Sequence, residues 1–332
     1  MKVLKAYKFR IYPNEEQIQY FIQTFGCVRF TYNQLLYARK KALQAGDYVT
    51  RLTPAQLKKD YPFLKQTDSL ALANAQRNLD RAFKNYFSKR AGYPKWKSKK
   101  SHWQSYTTNN QKHTIYFIGE ELKLPKLKSL VKANLHREIL GEIKSATISA
   151  KNNQLFFVSI LCLENVMSLP KTGESIGVAY CSENLVQMSS TNVFLSRKSN
   201  SYYQLKTAKK RLELRAKLAK KRKVLLSQAK NYQKQKRKVQ KLYMIIDNQR
   251  NDYINQLTYF LVKNYDYIYL EKHPKFSENA KFSETDWQHL LRKIQYKVSW
   301  YNKQLAFVAP DTKESEEKCF TIEQLGRQLT TS

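Results

Sequence analysis

Short apolar segments alternate with helix-length amphipathic segments through the second half of this chain, and this order constrains the fold more than any other feature. The predicted strands span residues 175–179, 185–190, 192–196, 267–271 and 304–309. Helices are predicted over 250–264 and 285–300, where apolar residues recur at three and four positions. Strands and helices in alternation are typical of an α/β domain. The segment 170–173 before the first of these strands is the predicted linker.

The first half of the chain combines one alternating segment with a helical block. Residues 3–11 alternate polar and apolar side chains, which predicts a strand. Asn14 followed by Gln17 predicts a capped helix, Gly26 is predicted to end it, and a second helix is expected over 28–43. Further helices are predicted over 54–59 and 69–90, and strands over 114–118, 144–151 and 155–163. These strands are expected to close a small β-barrel with the first one.

The chain is strongly basic, with 60 Lys and Arg against 26 Asp and Glu and a formal net charge of +34. This balance indicates a polyanionic ligand. Nucleic acid is favoured because the cations are interleaved with aromatic residues, while an anionic membrane surface and a merely solvated charged face stay open as alternatives. No apolar run approaches the roughly 20 residues that cross a bilayer, so a soluble, cytoplasmic, nucleoid-associated protein is predicted.

Cations alternate with aromatic side chains over residues 83–106. Tyr86 and Phe87 keep helical spacing from Phe83, which favours local packing. The aromatic residues outside that spacing are Tyr93, Trp96 and Trp103. Such a segment can neutralise phosphates while its rings stack on bases or sugars, and a solvated loop with a local aromatic core is the alternative.

Residues 203–246 form the longest basic stretch. Between Lys206 and Lys241 there are sixteen Lys or Arg and one acid, Glu213. Apolar residues recur at three and four positions, which predicts two amphipathic helical arms with a bend near 227–230. Such arms fit along a duplex backbone, and an isolated basic coiled coil is the alternative.

The strand 175–179 lacks the acid that a nuclease core of the RNase H type carries at its centre. That position is Ala179, and a methyl group cannot coordinate Mg²⁺. Glu271, at the end of the strand 267–271, is a suitable metal carboxylate, but Glu174 and Glu183 lie too far along the chain to replace the missing one. The sequence therefore predicts that the chain is not an enzyme and holds no catalytic metal.

The remaining candidate ligands give no recognisable site. The four cysteines are far apart and form no CxxC pair, so neither a zinc site nor a disulfide framework is predicted. The five histidines show no HxH or HExxH spacing. The expected cofactors are therefore none, apart from a nucleic-acid component.

Several motifs together resemble the TnpB family of transposon-encoded RNA-guided nucleases. The N-terminal KAYKFRIYPNEEQIQYFIQTFGCVRFTYNQLL is similar to the start of these proteins, and ALANAQRNLDRAFKNYF, GYPKWKSKK, GEELKLPKL, SIGVAYCSENL, YDYIYLEKH and YKVSWYNKQL follow in the family's order. The resemblance covers residues 1 to about 310. It implies an α+β multidomain protein with a wedge-type β-barrel split by a helical recognition lobe and followed by a RuvC domain, which has an RNase H-like fold.

The resemblance also implies domain boundaries. The wedge-type barrel would take residues 1–12 and 110–170, the helical lobe 13–109, the RuvC-like domain 171–310 with a basic helical insertion at 203–246, and a short acidic tail 311–332. The family's first catalytic aspartate aligns with Ala179, its second acid survives as Glu271, and its CxxC…CxxC finger and last aspartate have no counterpart. This combination resembles the TldR group, which are nuclease-dead TnpB-like transcriptional repressors.

Site residues carry over from the resemblance as expectations. The positions that read the motif beside the target in duplex DNA are Ser69, Ala73, Asn74 and Thr107. The residues expected to contact guide RNA or the RNA–DNA hybrid are Lys5, Tyr7, Arg29, Asn33, Arg77, Lys84, Tyr93, Lys95, Trp96, Lys97, Lys209, Lys210, Lys220 and Arg222.

The resemblance implies a mechanism in which a guide RNA supplies sequence specificity and the protein binds RNA and double-stranded DNA as a monomer on one RNA. A bound complex that overlaps a promoter would exclude RNA polymerase. Two alternatives stay open: a transposon-associated remnant that binds nucleic acid and regulates nothing, and a weakly active RNA-guided endonuclease. The guide, the target gene and the adjacent motif are not encoded in these residues.

Overall fold

The computed structural model describes residues 1–46, 52–152, 154–189, 200–277 and 280–308. The chain divides into two compact units, residues 2–165 and residues from 166 onward together with Met1, here called the N-terminal and C-terminal units. The mixed α+β prediction is confirmed by the strands and helices of both units. Among the described helices, none combines the length and the apolar character needed to span a bilayer.

The N-terminal unit contains a seven-stranded antiparallel sheet. Its strands are β1 (Lys2–Tyr12), β2 (Trp103–Asn109), β3 (Tyr116–Ile118), β4 (Glu121–Lys123), β5 (Val131–Asn134), β6 (Glu142–Lys151) and β7 (Leu155–Asn165), in the spatial order β2-β6-β7-β1-β5-β4-β3. The predicted closed barrel is wrong, because the edge strands β2 and β3 do not pair with each other in the described residues. Closure requires tilted strands around the full circumference, and β3 and β4 have only three residues each.

Three α-helices pack with this sheet. They are α1 (Glu15–Gln44), α2 (Pro54–Asp60) and α3 (Ser69–Phe87), and a 3₁₀ turn (Pro62–Gln66) joins the last two. The predicted capping box is present: Gln17 N–H donates to Asn14 Oδ1 at 2.9 Å and Asn14 N–H donates to Gln17 Oε1 at 3.0 Å. The predicted break at Gly26 is wrong, because α1 runs through it.

Packing explains why α1 continues through Gly26. Phe21, Phe25 and Val28 lie on the buried side of the helix, with Phe21 5.9 Å from Phe156 of β7 between ring centroids. A glycine within a helix costs only about 1 kcal/mol relative to alanine. The burial of the flanking aromatic side chains outweighs that cost.

The C-terminal unit contains a four-stranded sheet with helices. Its strands are β8 (Ser175–Cys181), β9 (Leu185–Met188), β10 (Tyr267–Glu271) and β11 (Gln304–Val308), in the order β11-β10-β8-β9. Strands β8, β10 and β11 are parallel, and β9 is antiparallel to β8. The helices are α4 (Ser201–Lys221), α5 (Lys230–Asn264) and α6 (Glu284–Tyr301).

Helix α5 merges two segments that the sequence analysis separated. The second basic arm and the helix predicted over 250–264 form one helix of 35 residues. No glycine or proline occurs between its ends, so nothing in the sequence interrupts it. The strand predicted over 192–196 and the tail 311–332 lie outside the described residues.

The predicted linker is fixed to the C-terminal sheet by one carboxylate. Asp266, just before β10, accepts the backbone N–H groups of Thr172 at 2.8 Å and Gly173 at 2.7 Å. Lys303 donates to Asp266 and, at 3.0 Å, to the carbonyl of Pro170. Gly173 adopts φ +73°, a left-handed conformation that a side chain would disfavour. The hydrogen bond from Lys303, followed by that from Gly173, lowers the pKa of Asp266.

Candidate nucleic-acid interface

Helix α4 and the first half of α5 form a two-helix hairpin, here called the basic hairpin (residues 201–246). Its seam is narrow, and the buried residues are Leu205, Ala208, Val239, Leu242 and Ile246. Gln235 Nε2 donates to the carbonyl of Ala208 at 2.9 Å, and Arg215 Nη1 donates to that of Asn231 at 2.7 Å. The two predicted arms are therefore held together by a thin apolar contact and a few polar ones.

The outer surface of the basic hairpin is positive and uncompensated. Lys209, Lys210, Lys220 and Arg222 are all exposed. In the described part of the chain, none of the sixteen cations between 206 and 241 takes part in an ion pair. Closely spaced like charges repel one another, and a polyanion that displaces their counterions relieves that repulsion. This surface has the charge and length to follow a nucleic-acid backbone.

The segment 88–102 runs without regular secondary structure and is fixed to α1 by Asn33. Asn33 Nδ2 donates to the carbonyl of Lys97 at 3.1 Å, and the N–H of Lys97 donates to Asn33 Oδ1 at 2.9 Å. The Lys97 ammonium lies 4.4 Å from the centroid of the Tyr32 ring. Loss of water around it lowers the pKa of Lys97. Asn33 and Lys97, both predicted from sequence, are thus one positioned pair.

The aromatic residues of this segment have two different environments. Tyr93 packs edge-on against Phe83 and Tyr86, with centroid distances of 5.6 and 5.2 Å. It therefore belongs to the local cluster predicted for Tyr86 and Phe87. Trp96 leaves 53% of its surface exposed. The exposed cations Arg77, Lys84 and Lys95 lie in the same stretch of chain, on α3 and after it.

Three residues predicted to contact RNA lie within or beside the sheet of the N-terminal unit. Tyr7 is only 2% exposed and stacks with Phe9 at 6.2 Å, so it is a core residue, and its contact with RNA stays a prediction. Lys5 donates to Glu164 at 3.1 Å; burial opposes its charge, but hydrogen bonds with Tyr7 and Glu164 outweigh this and raise its pKa. Arg29 donates to Gln104 Oε1 at 3.2 Å.

The predicted duplex-reading positions lie at the junction of α3 and β2. Asn74 Nδ2 donates to the carbonyl of Thr107 at 2.9 Å and to Asn109 Oδ1 at 3.3 Å. Ser69 and Ala73 lie one turn apart on the same helix, and Lys58 donates to Ser69 Oγ at 2.5 Å. The structure thus brings Asn74 and Thr107 into contact, and both hydrogens of the Asn74 amide are engaged within the protein.

Ala179 and Glu271 lie side by side at the carboxyl ends of adjacent parallel strands. The paired register ends at Val178 and Leu270, and the two residues are one step further. Ala179 is 4% exposed, and Glu271 Oε2 accepts the backbone N–H of Tyr180 at 2.9 Å. One carboxylate oxygen is therefore used in holding the end of β8.

The described residues contain no group of three or more His, Cys, Asp or Glu that could hold a metal ion. Divalent metal clamps for phosphodiester cleavage need several oxygen ligands. Glu271 supplies one carboxylate, so the described residues do not by themselves fit a two-metal site. The acids of the segment 311–332 lie outside the described residues.

Two cations of β1 were missed by the sequence analysis. Lys8 and Arg10 lie on the solvent side of the strand and contact the rings of Trp103 and Phe157. The signal was available, because a period of two places positions 8 and 10 opposite the apolar positions 7, 9 and 11. The partner rings come from β2 and β7, which no local pattern connects to β1.

Two family models match the chain. Residues 1–47 match a helix-turn-helix domain of OrfB from IS605, and residues 168–272 match an OrfB model of IS605 described as a probable transposase. The first match covers β1 and α1, and the second covers β8 to β10 with the basic hairpin.

Two relatives match over most of the chain. A putative RNA-guided DNA endonuclease of Streptomyces pristinaespiralis is 28% identical over 92% of this chain and 78% of its own length. The putative RNA-guided DNA endonuclease InsQ of Escherichia coli K12 is 27% identical over 93% of this chain and 81% of its own length. A solved structure of a Cas12f1–sgRNA–target DNA complex aligns over 98% of this chain and 94% of that chain, with a TM-score of 0.44 and 12% identity.

The names of the two relatives correct one prediction. Both are named as endonucleases, so the prediction that the chain is not an enzyme is wrong on this finding, which points to an enzyme. The two family-model matches lie in the first and second halves of the chain and follow the order of the motifs quoted above. The chain is therefore similar to OrfB of IS605 over residues 1–47 and 168–272.

Proposed function

We propose that this chain binds DNA under the direction of a guide RNA, as a protein of the RNA-guided DNA endonuclease class. The observation that carries the proposal is the basic hairpin, whose sixteen cations between 206 and 241 have no ion-pair partner in the described residues. The names of the two relatives that match over 92% and 93% of the chain support the same function.

In this mechanism, the protein holds the backbone and the guide reads the sequence. Replacing a DNA duplex by an RNA–DNA hybrid is nearly balanced in free energy, so contacts to phosphates decide whether the open state persists. The exposed cations of the basic hairpin are suited to this role because they act on charge and not on base identity. Asn74 and Thr107 are proposed to read the adjacent motif while it is still a duplex.

The engaged amide of Asn74 limits what this residue could read. Asparagine recognises adenine through both its amide donor and its carbonyl acceptor. Here both N–H groups are used within the protein, and no donor from the described residues reaches Asn74 Oδ1, which is left as an acceptor. An exocyclic amine, on adenine or cytosine, is the base group that matches it.

Cleavage would require a divalent metal, which activates the attacking water and neutralises charge on the phosphate. Among the described residues, no three acids, histidines or cysteines come together to hold this metal, and Glu271 Oε2 accepts the N–H of Tyr180. These residues alone do not fit a site for two metal ions.

We also propose transcriptional repression as the output of target binding. A complex retained by phosphate contacts on a promoter excludes RNA polymerase by occupying its site, whether or not the strand is cut.

One protein molecule on one RNA is the proposed assembly, and size-exclusion chromatography coupled to light scattering tests it. The predicted absence of zinc stays a prediction, and elemental analysis of the purified protein tests it.

Reconstitution with co-purifying RNA tests the binding proposal. The protein is purified, its RNA is sequenced, and the complex is incubated with a library of DNA that carries the guide match beside random flanks. Guide-dependent retention with enrichment of one flanking motif is expected. A guide with mismatches next to the motif is the control, because such mismatches abort hybrid formation. Equal retention of matched and mismatched DNA would contradict RNA guidance.

A second experiment concerns the metal. The complex is incubated with matched DNA and Mg²⁺, and cleavage of the DNA is measured. Separately, the thermal stability of Ala179→Asp is compared with that of Ala179→Asn, with and without Mg²⁺. A buried aspartate beside Glu271 is expected to destabilise the unit by about 2 kcal/mol. If acids outside the described residues complete a site, Mg²⁺ restores the stability of Ala179→Asp and not of Ala179→Asn. No recovery would show that the aspartate alone does not build one.

A further inference from the structure

The sheet of the N-terminal unit has one face that is covered by helices and one that carries polar, cationic and aromatic side chains. On β1, Tyr7, Phe9 and Ile11 are buried, and the alternate positions Lys8 and Arg10 lie on the other face. The register continues this face across the sheet, because Arg10 is opposite Phe157, Phe157 is opposite Ser149, and Ser149 is opposite Ser105.

An aromatic pair lies on this face with cations against it. The Trp103 and Phe157 rings are stacked, with centroids 6.0 Å apart and planes 23° from parallel. Lys8 Nζ is 5.1 Å from the Trp103 ring and 4.8 Å from the Phe157 ring, and the Arg10 guanidinium is 5.1 Å from Phe157. These four residues are here called the aromatic platform. Trp103 keeps 43% of its surface exposed.

The cations of the aromatic platform have no counter-charge within the described residues. No ion pair there includes Lys8, Arg10 or the neighbouring Lys151. Burial and then the charge of Lys151 lower the pKa of Lys8, and burial lowers that of Arg10. Arg10 Nε is buried and finds no hydrogen-bond partner in the described part of the chain. A donor in this position is costly unless an acceptor reaches it.

Hydroxyl groups line the same face beside the aromatic platform. Ser159 is opposite Lys8, and Ser105 lies two strands from Phe157, beyond Ser149, which is buried. The accessible hydroxyls are those of Ser159 and Ser105. Serine hydroxyls can donate to and accept from a ribose 2′-hydroxyl, which deoxyribose lacks. Rings for bases, cations for phosphates and hydroxyls for ribose are therefore gathered on one surface.

We infer that the aromatic platform binds an unpaired segment of RNA, with a base stacked against Trp103 and Phe157 and the adjoining phosphates on Lys8 and Arg10. An unpaired strand fits better than a duplex, since stacking on a side chain requires a base that is free of its helix. The inference rests on the proposed function, because the RNA would be part of the guide RNA. It adds a defined single-stranded site to the charge-based contacts of the basic hairpin.

The first test maps the contact directly. The protein is loaded with guide RNA that contains 4-thiouridine, irradiated, digested and analysed by mass spectrometry. Crosslinks are expected on peptides that contain Trp103 or Phe157. Crosslinks confined to other peptides would overturn the inference. It would also be overturned if single-stranded DNA suppressed the crosslinks on these peptides more strongly than RNA of the same sequence.

The second test measures affinity for short unstructured RNA. Trp103→Leu is expected to weaken binding roughly tenfold, because stacking on one ring is lost. Trp103→Phe keeps a ring and is expected to recover most of the affinity. Tyr116→Leu is the matched control, since Tyr116 is also an exposed aromatic residue of this sheet and has no assigned role in binding. Thermal denaturation of each variant verifies that the fold is retained.

The results separate this inference from the proposed function. Equal affinities for Trp103→Leu and Tyr116→Leu, with guide RNA still co-purifying, would overturn the aromatic platform and leave RNA guidance standing. Absence of co-purifying RNA from the unaltered protein would overturn both. The double variant Lys8→Gln and Arg10→Gln is expected to lower affinity roughly tenfold and to reduce the salt dependence, whereas Trp103→Leu leaves the salt dependence unchanged.

Discussion

The cations of the basic hairpin and three cations near the sheet of the same unit, Arg250, Lys297 and Lys303, have opposite surroundings. Between 206 and 241, sixteen cations share a thin helical seam and have no ion-pair partner among the described residues. By contrast, Arg250 pairs with Asp286 at 3.1 Å, Lys303 pairs with Asp266, and Lys297 donates to helix α5. The latter three residues are here called the inner cations.

This difference separates binding from stability. An exposed, unpaired cation adds little to the free energy of unfolding and much to the attraction of phosphates. A buried cation changes the free energy of unfolding, in a direction that depends on its partners. We therefore expect substitutions in the basic hairpin to alter nucleic-acid affinity and substitutions at the inner cations to alter stability.

The largest expected effect comes from the basic hairpin. Changing Lys209, Lys210, Lys220 and Arg222 together to Gln should weaken RNA binding roughly a hundredfold near 0.1 M salt and reduce the slope of log K against log salt by roughly 3. Filter binding across a salt series measures both. The control changes four other exposed lysines to Gln, namely Lys2, Lys112, Lys128 and Lys171. Equal losses in the two variants would mean that net charge, and not the hairpin, determines affinity.

Asp266→Asn should lower stability without affecting RNA binding. The substitution keeps the shape and removes the charge that pairs with Lys303 and fixes the linker. The pKa of Asp266 is lowered in the folded state, so its contribution is present above the unfolded pKa and is lost as pH falls through the folded one. The thermal midpoint should fall by several degrees at pH 7, and the difference should shrink below about pH 4.

The exposed Asp252 provides the control for this comparison. Asp252→Asn should leave the thermal midpoint within about a degree of the parent, because surface substitutions have small effects. A loss of RNA affinity in Asp266→Asn, with the midpoint unchanged, would reverse the assignment of roles.

Lys297→Met should stabilise the protein by about 1–2 kcal/mol at pH 7. Lys297 is nearly buried, and its ammonium donates to the carbonyl of Asn255 and to Thr258 Oγ1, both at 2.7 Å. The Lys297 ammonium also lies 5.9 Å from the centroid of the Tyr259 ring and feels the charge of Lys293. Burial, then Lys293, lowers the pKa of Lys297 to about 8, so the charged form is disfavoured in the folded state.

The pH dependence gives this prediction its sign. The unfavourable contribution is complete below about pH 8 and declines towards the unfolded value near 10.5. Urea unfolding at pH 7 and 9.5 should show a larger advantage of Lys297→Met at pH 7. Lys293→Met, which keeps the amine of Lys297, serves as the comparison. An advantage that grows with pH would show that the amine is favourably placed in its charged form.

The smallest expected effect concerns Asn33, which holds an exposed cation in place. Asn33→Ala removes both hydrogen bonds to Lys97 and no charge. RNA affinity should fall roughly threefold with an unchanged salt slope, because only positioning is lost. Lys97→Gln should instead reduce the slope by roughly 0.7. A changed slope in Asn33→Ala would show that several phosphate contacts depend on this one anchor.

Features that depend on neighbouring residues were predictable from the sequence. The Asn14–Gln17 capping box, the alternation along β1 and the two basic arms all follow from spacing within a few positions. The charge of the basic hairpin could be read directly, since a surface with one acid among sixteen cations cannot neutralise itself.

Features that depend on residues far apart in the chain were not predictable from the sequence. Gly26 was expected to end a helix, but aromatic packing from β7 holds α1 together. Barrel closure depends on the lengths of β3 and β4, which lie far along the chain from β1. The pairing of Lys303 with Asp266 and the contact of Lys8 with Trp103 join segments that no local pattern connects.

Helix α5 makes the basic hairpin and the sheet parts of one mechanical element. Its 35 residues extend about 50 Å, and only two residues separate its end from β10, the strand that carries Glu271. A continuous α-helix transmits displacement along its axis because bending it requires loss of backbone hydrogen bonds. A force that nucleic acid exerts on the N-terminal end of α5, in the basic hairpin, is therefore transmitted along the helix to β10 at its other end.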